Sequence, residues 1–157
     1  MRETIKFITD SNLGKLAKWL RILGYDTAYC VAKDDDALLS KAQIEGRVVL
    51  TRKKGVSTHP LVGTVAVIRH DRLEDQLREV INKFSIKPKK DQILTICLKC
   101  NEKLKAVSKE EIAGSVPDHI LRNQTKFHMC PRCGGIYWPG THAEHVDRFL
   151  TAHHIAS

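Results

Sequence analysis

Two C-x-x-C pairs, Cys97-Leu98-Lys99-Cys100 and Cys130-Pro131-Arg132-Cys133, constrain this chain more than any other feature in it. One such turn brings two thiolates about one metal edge apart, and two turns complete a tetrahedron. Four soft ligands with no open position make zinc the metal to expect, in a structural role. Asn101 follows one turn and Gly134-Gly135 the other, turn-prone residues that let backbone N–H groups point at sulfur. A thioredoxin-like redox site wants a single pair, and ferredoxin spacing is absent. His128 and His142 lie near the turns and read as packing or surface histidines rather than substitute ligands. The fifth cysteine, Cys30, reads as a small buried hydrophobe. No secretory h-region follows Met1, so the pattern is that of a reducing compartment and a cytoplasmic protein is expected.

Upstream of the cysteines, strand and helix patterns alternate. Residues 4–9 read as a buried strand ending at Asp10. Asp10 or Ser11 then caps a helix over 12–23, with Leu13, Leu16, Ala17, Leu20 and Leu23 as its core stripe. Gly24 suits the position after its end. Strands over 25–31, 47–51 and 64–68 alternate with helices over 37–45 and 73–84. This alternation predicts a parallel sheet with right-handed crossovers, an α/β sandwich. Residues 86–90 (Ile-Lys-Pro-Lys-Lys) read as a linker. The expected division is an α/β domain over 1–88 and a zinc-ribbon module with a C-terminal helix over 89–157. Within the module, Ser108 with Glu111 and Thr141 with Glu144 read as capping boxes. The second box opens a helix with Val146, Phe149 and Leu150 on one face, docked on the zinc module or folded back on the first domain.

Charge narrows the partner. The net charge is +8, with 18 Lys and Arg against 11 Asp and Glu over residues 1–90 and 8 against 7 beyond. A cationic first half favours a polyanion, and nucleic acid over membrane, because no basic amphipathic anchor or bilayer-length apolar run accompanies it. Simple solubility charge is the bland alternative. Lys15, Lys18 and Arg21 share a face of the first helix; with the loop residues Arg52, Lys53 and Lys54 they could grip a phosphate backbone.

Ligands of a parallel α/β sheet gather at the carboxyl ends of its strands. Asp10 ends the first strand, Asp34-Asp35-Asp36 follow the second, and Asp71 follows the fourth. Carboxylates meeting there would suit magnesium or manganese, which can orient water against a phosphodiester. Helix capping explains some of them equally well, one of the triple Asp run in particular.

Three stretches carry a family resemblance: the run from Asp10 to Thr27 (Asp10-Ser11-Asn12-Leu13-Gly14-Lys15-Leu16-Ala17-Lys18-Trp19-Leu20-Arg21 and on), Glu45-Gly46-Arg47-Val48-Val49-Leu50-Thr51-Arg52, and Cys130-Pro131-Arg132-Cys133 continuing to Tyr137-Trp138-Pro139-Gly140-Thr141-His142. Together they resemble the Mut-7 C-terminal RNase domain family, a branch of the PIN-like nucleases, over nearly the whole chain. The resemblance implies a PIN-like α/β domain with an appended zinc ribbon and a metal-dependent ribonuclease activity, with Asp10 as first acidic residue and Asp35 as second. The third family carboxylate follows Thr-Arg, and here that position is Lys53. An ammonium cannot ligate magnesium and repels it. Three expectations follow: Lys53 takes the cation's place, Asp71 supplies the missing ligand, or hydrolysis is lost and RNA binding kept. A protein-interaction adaptor using the exposed ribbon is the remaining alternative.

Overall fold

The computed structural model describes residues 5–31, 34–58 and 64–155; Thr4, the expected start of the first strand, lies outside them. Four strands, β1 (Phe7–Thr9), β2 (Thr27–Tyr29), β3 (Val48–Thr51) and β4 (Val65–Val67), form a parallel sheet in the order β2-β1-β3-β4. Successive side chains point to opposite faces of a strand. Phe7 and Leu50 accordingly enter one core with α1 (Gly14–Ile22) and α3 (Leu73–Lys83), while Ile8 and Val49 enter another with α2 (Asp35–Glu45). The sheet is thus covered by helices on both faces, as the α/β reading requires.

Local chemistry fixes the helix ends. Asp34 caps α2, its carboxylate accepting from the Ala37 N–H at 2.9 Å, and Gly46 ends the helix at φ +66°. Gly24 follows α1 at φ +92°, with the Gln92 carbonyl 2.4 Å from where a Cβ would stand. Glycine is required there twice over, by conformation and by space.

A second, antiparallel sheet follows, ordered β5 (Lys105–Val107), β6 (Phe127–Met129) and β7 (Ile136–Tyr137). Between β5 and β6, α4 (Lys109–Ile112) opens with the predicted box: Glu111 N–H donates to Ser108 Oγ at 3.3 Å, and Ser108 N–H to Glu111 Oε2 at 3.1 Å. A short α5 (Asp118–Asn123) completes the crossover. The box expected at Thr141 does not open the last helix. Pro139 is already helical (φ −62°, ψ −48°), so α6 (Gly140–Ala152) starts ahead of Thr141 with no side-chain cap. Of the two placements open to it, α6 folds back on the first domain. Val146 and Leu150 are buried in the core with α1 and α3, and Phe149 stacks on Trp19 at 4.1 Å.

The free edge of β2 is closed by the first cysteine turn. Thr27 N–H donates to Asn101 Oδ1 at 2.9 Å, and Arg21 Nε donates to the Thr27 carbonyl at 2.8 Å. Arg21 Nη1 reaches on to the Leu98 carbonyl at 2.8 Å, and Asn101 Nδ2 to Asp26 Oδ1 at 2.5 Å. Exposed edge backbone is thereby paired, and the parallel sheet is tied to the first cysteine turn through it.

Candidate functional site

In this sheet the strand order reverses between β1 and β3, and such a switch point leaves a crevice beyond the carboxyl ends of the strands. Asp10 leaves β1 there and Thr51 ends β3. Thr51 Oγ1 donates to Asp10 Oδ2 at 2.6 Å, and Asn12 N–H donates to Asp10 Oδ1 at 2.9 Å. Asp10 is 9% exposed, with both oxygens oriented. Lys53 N–H donates to the same Thr51 hydroxyl at 3.1 Å, and Lys53 Nζ reaches Asp35 Oδ1 at 3.4 Å. The contacts therefore run Asp10–Thr51–Lys53–Asp35 across the crevice, drawing together residues from three separate segments.

The other acidic candidates go elsewhere. Asp34 is the α2 cap, and Asp36 lies exposed in that helix's first turn. Asp71 pairs with Arg52 Nη2 at 2.5 Å and lines a neighbouring cleft with Asn12 and Lys15. Among the cations, Lys15, Lys18, Lys53 and Lys54 are exposed. Arg52 also donates to the His70 carbonyl, so its guanidinium braces the end of β4. Arg21 corrects the helix-face reading. It is 9% exposed, both its hydrogen bonds go to backbone carbonyls, and burial lowers its pKa.

Sequence reasoning missed two residues. The buried Thr51 hydroxyl joins Asp10 to Lys53 and was read only as part of a strand. Tyr29, also read only as a strand residue, donates from its hydroxyl to the Ser11 carbonyl at 2.9 Å and braces the turn after Asp10.

Beside Arg52, the Glu79 carboxylate bonds His70 Nδ1 at 2.6 Å and accepts the backbone N–H groups of Arg69 and His70. Burial raises the Glu79 pKa, but the His70 bond and the two N–H groups outweigh it and hold it below the usual range. A depressed folded pKa contributes stability above the ordinary carboxylate range that is lost as pH falls through the folded value. Glu79→Gln should flatten the acid limb of stability below about pH 4.3. Urea midpoints from pH 7 to pH 2.5 check this, and an unchanged acid limb would refute it.

The four cysteines meet as their spacing requires. The Cys97, Cys100, Cys130 and Cys133 sulfurs all lie within 4.8 Å of one another, without His128 or His142. Each turn closes on a left-handed residue, Asn101 at φ +62° and Gly134 at φ +74°, donating back to the Cys97 and Cys130 carbonyls at 2.9 Å. Burial pushes the Cys97 thiol up, but the Tyr137 hydroxyl and the Cys100 and Lys99 N–H groups aim at its sulfur and hold it down to about 6. Cys100 is pushed up to about 12 by desolvation and by the neighbouring thiols. Such a cluster resists full ionisation without a cation to neutralise it. Four soft donors within 4.8 Å of one another fit a structural metal.

No helix among the described residues is long and apolar enough to cross a membrane. Neither a curated protein nor a solved structure matches the chain. The family described as the Mut7-C RNAse domain does match, over residues 5–150, a span holding both the carboxyl-edge site and the four cysteines. The chain belongs to the Mut7-C RNase domain family.

Proposed function

We propose that this chain acts on RNA at the carboxyl edge of its parallel sheet, as a phosphodiester hydrolase of the PIN-like class. The observation that carries the reading is the Asp10–Thr51–Lys53–Asp35 run across the switch-point crevice. Asp10 and Asp35 would hold a magnesium or manganese ion, whose preference is for hard oxygen ligands. Each Asp10 oxygen accepts one hydrogen bond and keeps a lone pair for the ion. When bound, a divalent cation supplies neutralisation of charge developing on the phosphodiester. Lys53 opposes it. The Lys53–Asp35 pair is 3.4 Å long with side chains 58% and 36% exposed, and exposed pairs are worth at most about 1 kcal/mol. Lys53 therefore weakens cation binding without closing the site. Lys15, Lys18 and Lys54 supply phosphate contacts. Zinc is the ion we assign to the four cysteines, in a supporting role.

Labelled single-stranded and structured RNAs, incubated with the full chain in manganese or EDTA, test this. Asp10→Asn should slow cleavage at least about tenfold, and equal cleavage by that variant would sink the assignment. Lys53→Asp, which removes a repulsive charge and adds a ligand, should lower the half-saturating manganese concentration about tenfold. The Lys53–Asp35 pair also favours a second reading, RNA binding without turnover. In that case no metal gives product in the wild type, while RNA affinity falls steeply with salt.

A further inference from the structure

Tyr137, Trp138, Pro139 and His142 have no part in the carboxyl-edge site, yet they line a cleft of their own. This cavity of about 910 Å³ lies between the ribbon sheet and α6, with Leu98 of the first cysteine turn and Val146 and Leu150 of α6 in its lining. We infer that this cleft binds single-stranded RNA, with a base against Trp138 and neighbouring phosphates on Lys90 and Lys126. The inference rests on the reading that the chain handles RNA, and it adds a second contact on the same strand.

Three observations support it. The cleft falls within the roughly 300–1,000 Å³ range of sites that enclose a small organic ligand, and a base with its ribose is of that size. Its aromatic wall is held in place. Trp138 packs on Phe127 at a ring separation of 6.3 Å, and its Cδ1 lies 3.0 Å from where a Cβ on Gly140 would stand. A ring so confined is a preorganised surface for stacking, which binds any base because every base has a π-face. Cations are at hand for the phosphates. Lys90 and Lys126 line the cleft, and Lys87 and Lys89 are exposed in the segment running into Lys90. Asp91 and Asp147 also line it. Charge alone would therefore attract a strand only modestly, and stacking must supply much of the affinity. A concave slot walled by an indole suits a flat ring better than it suits the face of a second copy.

Position makes the cleft useful to the other site. Asp10 precedes α1, whereas Arg21, in the last turn of α1, holds the Leu98 carbonyl at the cleft. Nine residues of helix span about 13 Å. A strand of a few nucleotides could lie along α1 with one end in the cleft and the other at Asp10.

The chain has two tryptophans, so Trp19→Phe leaves Trp138 as the sole tryptophan, excited selectively over the tyrosines at the red edge of absorption. Titrating that variant with an adenine oligonucleotide should quench its emission, in step with binding followed by anisotropy of a labelled oligonucleotide. Trp138→Ala should weaken binding by about tenfold or more. Lys90→Gln with Lys126→Gln should lower the slope of log affinity against log salt by about 1.4. Thermal melts of each variant confirm that it folds. Normal anisotropy with unquenched Trp138 would overturn the cleft and leave the RNA reading standing. No binding by the wild type would overturn both. Emission that shifts with protein concentration alone would assign the cleft to a second copy and overturn the proposal.

Discussion

Removing the metal from the four cysteines, or replacing Cys130 by serine, should unfold residues 97–137 and lower the melting temperature by more than about 10 °C. The physical reason is the size of the core there. The ribbon sheet buries only Ile112, Val116 and Phe127 in its own cluster, too little apolar area to offset the entropy of ordering residues 97–137. Cys97 and Cys130 are fully buried, so their sulfurs replace core that the module lacks. Structural zinc contributes roughly 10–16 kcal/mol of apparent binding energy in isolated finger peptides at pH 7. Purified protein should carry about one zinc per chain by elemental analysis. A strong chelator should collapse the amide dispersion of residues 97–137 in the nuclear magnetic resonance spectrum. Full retention of melting temperature and dispersion in the metal-free protein would refute a structural role.

How far sequence alone reached can be judged residue by residue. The four-cysteine cluster was legible because C-x-x-C spacing dictates local geometry, and nothing distant can alter it. The sandwich was legible because Leu16, Leu20 and Leu23 repeat at helical spacing, and because Val48, Val49 and Leu50 form an unbroken apolar run between Arg47 and Thr51, as parallel strands tend to. That Asp10 and the start of α2 at Asp35 lie at one edge of the sheet was legible in outline, since parallel topology sends both there. The partner of each was not. Thr51 becomes the hub between Asp10 and Lys53 only because Thr9 and Leu50 share a register, which leaves Asp10 and Thr51 side by side. Asp71 is equally close to the edge in sequence terms, yet it goes to Arg52, a nearer cation on the adjoining strand. Thr141 misled because a capping box is a local pattern, and Pro139 pre-empts it by entering the helix two residues earlier. Arg21 misled for the opposite reason. Helical periodicity places it beside Lys15 and Lys18, and nothing within α1 says that the second module will cover its end.

That cover makes Arg21 the site of the second large effect. Arg21→Ala should cost about 3–5 kcal/mol, because it strands the Thr27 and Leu98 carbonyls and removes the stem packed over them. Lys18→Ala, one turn away and exposed, should stay within about 0.5 kcal/mol. Arg21→Lys should fall between them, since an ammonium keeps the charge but cannot fork to two carbonyls. Denaturant unfolding of the three variants measures this. If Arg21 instead gripped RNA, Arg21→Ala would lower RNA affinity and leave stability unchanged, the outcome that sinks the clamp. Its partner in the clamp is Asn101, which takes the Thr27 N–H while Arg21 takes the Thr27 carbonyl. Two side chains on one edge residue share a network, so Arg21→Ala and Asn101→Ala should be non-additive by about 0.5–3 kcal/mol. Asn101 sits in its left-handed conformation because it closes the Cys97–Cys100 turn. Losing the metal should therefore release Asn101 and Leu98 together and expose the β2 edge. The double-mutant coupling should vanish in the metal-free protein, which ties the edge of the nuclease-type sheet to an ion bound outside it.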